Sequence, residues 1–104
     1  IQHPLAERWM ALESAWAMTM KGAWLYDNKQ PCGAEANAAK FLGARAGYDS
    51  ALQAVMTHGG FGYAREYHVE RYFRESLIPR IAPVSRELIL SFIAEKVLDL
   101  PKSY

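Results

Sequence analysis

Cysteine is almost missing from this 104-residue chain. Cys32 stands alone, which excludes an intrachain disulfide and fits a reducing compartment. An excess of either charge is missing too: twelve Lys and Arg against eleven Asp and Glu leave +1. Neither nucleic acid nor an anionic membrane surface is therefore an expected partner. No apolar run approaches the roughly 18 residues a membrane span needs, and no basic stretch followed by an apolar one marks a leader. His3, His58 and His68 have no ligand spacing with one another, with Cys32 or with a carboxylate, so no metal site is expected. The chain opens on Ile1 without an initiator methionine, straight into a helix pattern, which predicts the end of a longer protein.

What is present is apolar and helical. Hydrophobic residues make up 51%, with three Trp and six Tyr, more than a chain of this length needs for its own core. A domain this small buries only about two-thirds of its unfolded surface, so partners are expected to cover the surplus. Leu5, Trp9, Leu12, Trp16, Met20 and Ala23 recur at spacings of three and four. That spacing predicts a helix over 4–27, with Pro4 in its first turn. The three Trp are expected in core or subunit-interface packing. Residues 27–33 are polar, with Pro31 and Gly33, and read as a loop.

An Ala- and Gly-rich helix is predicted over 34–57, with Phe41, Leu42, Tyr48, Leu52 and Val55 as its larger core side chains. Gly43 and Gly47 cost helix stability and are best explained by a neighbouring backbone passing close. Gly59, Gly60 and Gly62 end this helix. A shorter helix follows over 66–77, with Glu70–Arg74 and Arg71–Glu75 spaced to pair across a turn. Pro79 and Pro83 bound a connector, and Ser85 caps a last helix to about Leu98. No strand pattern competes. The expected fold class is all-α, one domain over 1–104, three substantial helices and a short one in an antiparallel bundle.

The stretch richest in chemistry is His58-Gly59-Gly60-Phe61-Gly62-Tyr63-Ala64-Arg65-Glu66-Tyr67-His68-Val69-Glu70-Arg71-Tyr72-Phe73-Arg74-Glu75. Glycines between helices let a ligand or another backbone come into contact, although from glycines alone a helix-ending turn is the simpler reading. The whole string resembles the acyl-CoA dehydrogenase signature G-G-x-G-Y…E-Y-x-V-E-R-x-x-R-[DE]. The start Gln2-His3-Pro4-Leu5-Ala6-Glu7, the pair Ala39-Lys40 and the ending Leu98-Asp99-Leu100-Pro101-Lys102-Ser103-Tyr104 are similar to that family too, the last to bacterial members. The resemblance implies the carboxy-terminal helical part of an FAD-dependent flavoenzyme that removes the α-proton and β-hydride of an acyl-CoA thioester and passes electrons to an acceptor. It further implies a homo-oligomer, dimer or tetramer, in the bacterial cytoplasm. Gly59, Gly60 and Gly62 then match the loop that approaches the FAD of a neighbouring subunit. Ser85 stands for a threonine whose hydroxyl contacts FAD, and Glu87 for the acidic or amide position near it. This chain alone is expected to be inactive and free of FAD, most contacts lying on other segments.

Three positions depart from the family pattern. Pro83 stands where many members carry the glutamate that takes the α-proton, and proline has no group to accept one. The base must come from an earlier helix, or the scaffold serves a different reaction, as an oxidase or monooxygenase. Met56 and Ile89 replace frequent glutamines, so the family's detailed adenine contacts are not carried over. A non-enzymatic helical interaction module is the third reading. Arg71 and Arg74 are expected to tie a short helix to the bundle, Glu66, Glu70 and Glu75 to form a solvated or salt-bridged face, and Cys32 to have no role.

Overall fold

The computed structural model describes residues 1–103. Its frame is an antiparallel pair of long helices, α1 (Gln2–Asp27) and α2 (Gly33–His58). Pro4 sits in the first turn of α1, where its missing N–H is not needed. The end of α1 is a Schellman closure: Lys29 turns left-handed at φ 56°, Gln30 N–H donates to the Leu25 carbonyl at 2.8 Å, and Lys29 N–H to Tyr26 at 3.0 Å. The Asn28 amide adds a bond to the Trp24 carbonyl at 2.8 Å. The chain then reverses, and α2 runs back along α1. Small residues set the spacing, with Ala15 and Gly22 buried on α1 and Ala46 on α2. Arg8 meets Asp49 at 3.4 Å near one end, and Lys21 meets Glu35 at 3.9 Å near the other.

Most of the described segments after α2 fold back onto it. Two 3-10 segments, Gly59–Tyr63 and Arg65–Tyr67, lead into α3 (Val69–Glu75), a one-turn α4 (Ile78–Ile81) and α5 (Arg86–Phe92). A π-helical turn, Ile93–Val97, ends the last helix. Val69 and Ile89 are the buried anchors of this half, and Tyr48 of α2 packs on Phe73 of α3 with ring centroids 5.4 Å apart. Ser85 caps α5 as its sequence position suggests, its Oγ accepting the Leu88 N–H at 3.3 Å. Ala82–Pro83 is cis.

The all-α antiparallel arrangement matches the sequence reading, and no strand occurs among the described residues. Several details differ. The helix expected over 66–77 is α3 alone, because His68 adopts φ 64° and breaks it from the turn before. The Pro79–Pro83 connector contains α4, which tolerates Pro79 near its start. Among the described residues only two helices are long. Arg71 does not pair with Glu75; its guanidinium lies 5.0 Å from the centroid of the Tyr72 ring. Beside Gly43 and Gly47 nothing lies within 4 Å of an added Cβ, so the close backbone expected there is not made among the described residues.

Burial is low on both long helices. Trp9, Trp16 and Trp24 are 62%, 61% and 62% exposed, and Leu5, Leu12 and Met20 are exposed on the same outward face of α1. Most large side chains of α2 are only half-buried. The buried apolar core is Ala15, Ala46, Val69 and Ile89. The accessible surface is 7791 Å², against about 5,900 Å² for a compact monomer of this mass. The radius of gyration is 16.2 Å, against about 13 Å for a compact domain of this length. The chain is more extended, and leaves more surface uncovered, than a compact domain of its length.

One contact fixes the junction between α2 and the rest. A Cβ at Gly62 would collide with the Val55 carbonyl oxygen and lie 3.0 Å from the Val55 Cα. Gly62→Ala must therefore push backbone against backbone, and should lower the stability of the full-length protein by about 1–3 kcal/mol, read as a lower urea midpoint. An unchanged midpoint would show that this contact is not formed.

Candidate functional site

The glycine segment is held by its inner side and open on its outer side. Gly59 stops α2 with φ 61° and ψ −136°, a conformation that favours glycine, while its N–H donates to the Met56 carbonyl. The following 3-10 turn carries Gly62 under the last turns of α2, where it is buried. Gly59 and Gly60 point the other way, with nothing within 4 Å of an added Cβ at either. Phe61 and Tyr63 are exposed beside them, Tyr63 at 89%.

Three rings brace the segment. Tyr67 lies 5.2 Å from Phe61 and 6.2 Å from His58, centroid to centroid. His58 is fixed in turn, its Nδ1 donating to the Ala54 carbonyl at 2.8 Å, which sets that tautomer. Behind them α3 is stiffened by Glu70, whose carboxylate accepts from Arg74 Nε at 2.8 Å. That hydrogen bond holds the Glu70 carboxyl below the usual glutamate range.

Ser85 and Glu87 lie elsewhere. They begin α5, which sits beside the middle of α2: the Arg86 guanidinium is 5.9 Å from the Phe41 ring centroid, and Lys40 donates to the Pro79 and Ala82 carbonyls. Phe41 and Val55, the α2 residues beside these two places, are separated by roughly 21 Å of helix at 1.5 Å per residue. The structure therefore keeps Gly59, Gly60 and Gly62 together and places Ser85 and Glu87 at a second location. Pro83 is exposed next to Ser85. No group of three His, Cys, Asp or Glu converges among the described residues, and no helix is long and apolar enough to cross a membrane. Cys32 is a half-buried free thiol just before α2.

Sequence reasoning missed a cavity of about 310 Å³ between α2, α4 and α5. Lys40, Arg45, Arg80 and Arg86 line it, with Asp49 as the one acidic side chain. Its residues come from two stretches some thirty positions apart, and no local spacing joins them. The only signal available was the density of arginines around Pro83.

Residues 1–98 match the family model for the acyl-CoA dehydrogenase C-terminal domain. Acyl-CoA dehydrogenase FadE12 of Mycobacterium tuberculosis (strain H37Rv) is 42% identical across the whole chain, which covers 27% of that protein. The probable acyl-CoA dehydrogenase YngJ of Bacillus subtilis is 36% identical over 94% of the chain and 26% of its own length. The mitochondrial short-chain specific acyl-CoA dehydrogenase of Rattus norvegicus is 38% identical over 94% of the chain and 24% of its own. The chain thus spans about a quarter of the length of these curated relatives.

The brace behind the loop has a titratable signature. Glu70 has a folded pKa below its unfolded value, so the pair's contribution to α3 is present at neutral pH and fades as pH falls through that lowered pKa. Carboxyl-carbon NMR should find Glu70 titrating below an ordinary glutamate, and Arg74→Gln should move it back up. Identical titration in both forms would show the pair is not formed.

Proposed function

Because this chain belongs to the acyl-CoA dehydrogenase family as its C-terminal domain, we propose that the whole protein is an FAD-dependent acyl-CoA dehydrogenase, and that this part supplies bundle packing, oligomer contacts and a portion of the flavin site. The observation that carries the reading is the glycine segment, fastened inward by Gly62 and bare outward at Gly59 and Gly60. A bare backbone on a braced turn suits close approach by a large cofactor. When bound, FAD supplies the acceptor for the hydride that leaves the β-carbon of the acyl thioester.

The chain's own residues have positioning roles. Gly59, Gly60 and Gly62 form the loop that would lie against the cofactor, with His58, Phe61 and Tyr67 keeping it in place. Ser85 uses one lone pair on the Leu88 N–H, which leaves its hydroxyl proton to donate to a flavin acceptor, with Glu87 in the first turn of α5 beside it. The two locations lie too far apart along α2 to serve one small contact. That separation supports a homo-oligomer in which the glycine loop reaches a neighbour's FAD while Ser85 faces the subunit's own. The exposed Trp stripe supports further coverage by other segments or subunits. A bacterial cytoplasmic setting fits the lone free thiol and the bacterial relatives.

Removal of the α-proton needs a base, and the position where the family pattern carries one is Pro83 in this chain. Pro83 has no proton-accepting group, and Glu70 is engaged by Arg74 and held weakly basic. The catalytic carboxylate is therefore assigned to a segment outside this chain. The test is made on the full-length protein, with flavin content by absorbance and a scan of acyl-CoA chain lengths using an artificial electron acceptor. The expected result is bound FAD and enoyl-CoA formation independent of oxygen. Oxygen consumption matched by peroxide would move the assignment to an oxidase. A colourless protein that takes up no FAD would overturn it in favour of a helical interaction module.

A further inference from the structure

The reading above places Ser85 and Glu87 near the cavity between α2, α4 and α5 but gives the cavity's own cations no role. Four cations, Lys40, Arg45, Arg80 and Arg86, share it with Asp49 alone, and Asp49 is already engaged by Arg8 at 3.4 Å and Arg45 at 3.8 Å. Lys40 is spent on the Pro79 and Ala82 carbonyls, which fastens the α4–α5 connector as a fixed wall. Arg80 and Arg86 are different. Each lays its guanidinium over a ring, Arg80 4.6 Å from the Tyr48 centroid and Arg86 5.9 Å from that of Phe41. Neither guanidinium makes a hydrogen bond or ion pair among the described residues.

Ring stacking orients a guanidinium through its face and leaves the N–H edge free for a planar or tetrahedral oxyanion. Like charges gathered around one space repel, and an anion inside relieves that repulsion. The excess positive charge calls for more than one negative charge, which a phosphoryl group carries and a single carboxylate does not. A volume of about 310 Å³ is at the small end of ligand pockets. We propose that this cavity binds a phosphoryl group of a small molecule, with Arg80 and Arg86 as its principal donors, at a site separate from the flavin loop.

The test is calorimetric titration of the FAD-replete full-length protein with pyrophosphate, with inorganic phosphate and succinate in parallel. The expected result is saturable binding of pyrophosphate, one per chain, weaker for phosphate and weakest for succinate, whose two charges sit on separate carboxylates, with flavin retained. Arg80→Gln and Arg86→Gln should each weaken it about tenfold or more. Arg80→Lys, which keeps the charge but loses the fork, should weaken it less, and Arg71→Gln on α3 should leave it unchanged. No binding to the flavin-replete protein would overturn the proposal and mark the cavity as filled by another segment's acidic side chain. Pyrophosphate binding only to flavin-free protein, competing with FAD, would overturn it by making the cavity part of the flavin site. Binding unaffected by both glutamine variants would place the anion elsewhere. Failure of the flavin assignment itself would appear separately, as a protein without bound FAD.

Discussion

The close seat of Gly62 beneath the Val55 carbonyl is the contact on which the functional half of the chain depends. It turns the backbone sharply at the end of α2, so that α3 comes back alongside Tyr48 instead of continuing outward. It also decides which glycines remain free. With Gly62 pressed inward and Gly59 committed to a left-handed φ, Gly60 is the residue whose lack of a side chain has no role within the chain. Its openness is therefore available to something that binds there.

Helix α2 acts as a spine with different occupants along its length. Its small residues receive α1, its end carries the glycine segment, and its middle holds Lys40 and Phe41 against the α4–α5 connector. One stiff helix thus sets the distance between two prospective contact points. Much of α1 is turned outward with its three Trp exposed. A core made of two alanines, one valine and one isoleucine is small for this length, which fits a piece whose remaining faces are covered in a larger assembly.

Much of this was legible in the residues. The bounds of α1 and α2 followed from Pro4, the polar turn and the glycines, because helix ends are local events. The Ser85 cap was legible for the same reason. The Glu70–Arg74 pair formed where its spacing placed it, whereas Arg71 found the neighbouring Tyr72 ring. The break at His68 was not legible: histidine is among the side chains that turn left-handed more often than most, but that tendency alone does not say which histidine will do so. The Trp stripe was legible as an apolar face, but periodicity does not say which body covers such a face. The cationic cavity was invisible because it exists only after residues 40–49 and 79–89 have been folded together.

The central claim is that the loop is anchored through Gly62 so that Gly60 faces a cofactor. Gly60→Val tests it, because the substitution adds bulk where the chain itself has open space and no positive φ. Bound flavin per subunit and the unfolding midpoint would be measured together on the full-length protein in its apo and flavin-loaded states. The account predicts an apo midpoint equal to that of the unsubstituted protein, with flavin occupancy largely lost. Full flavin occupancy with either midpoint would contradict it.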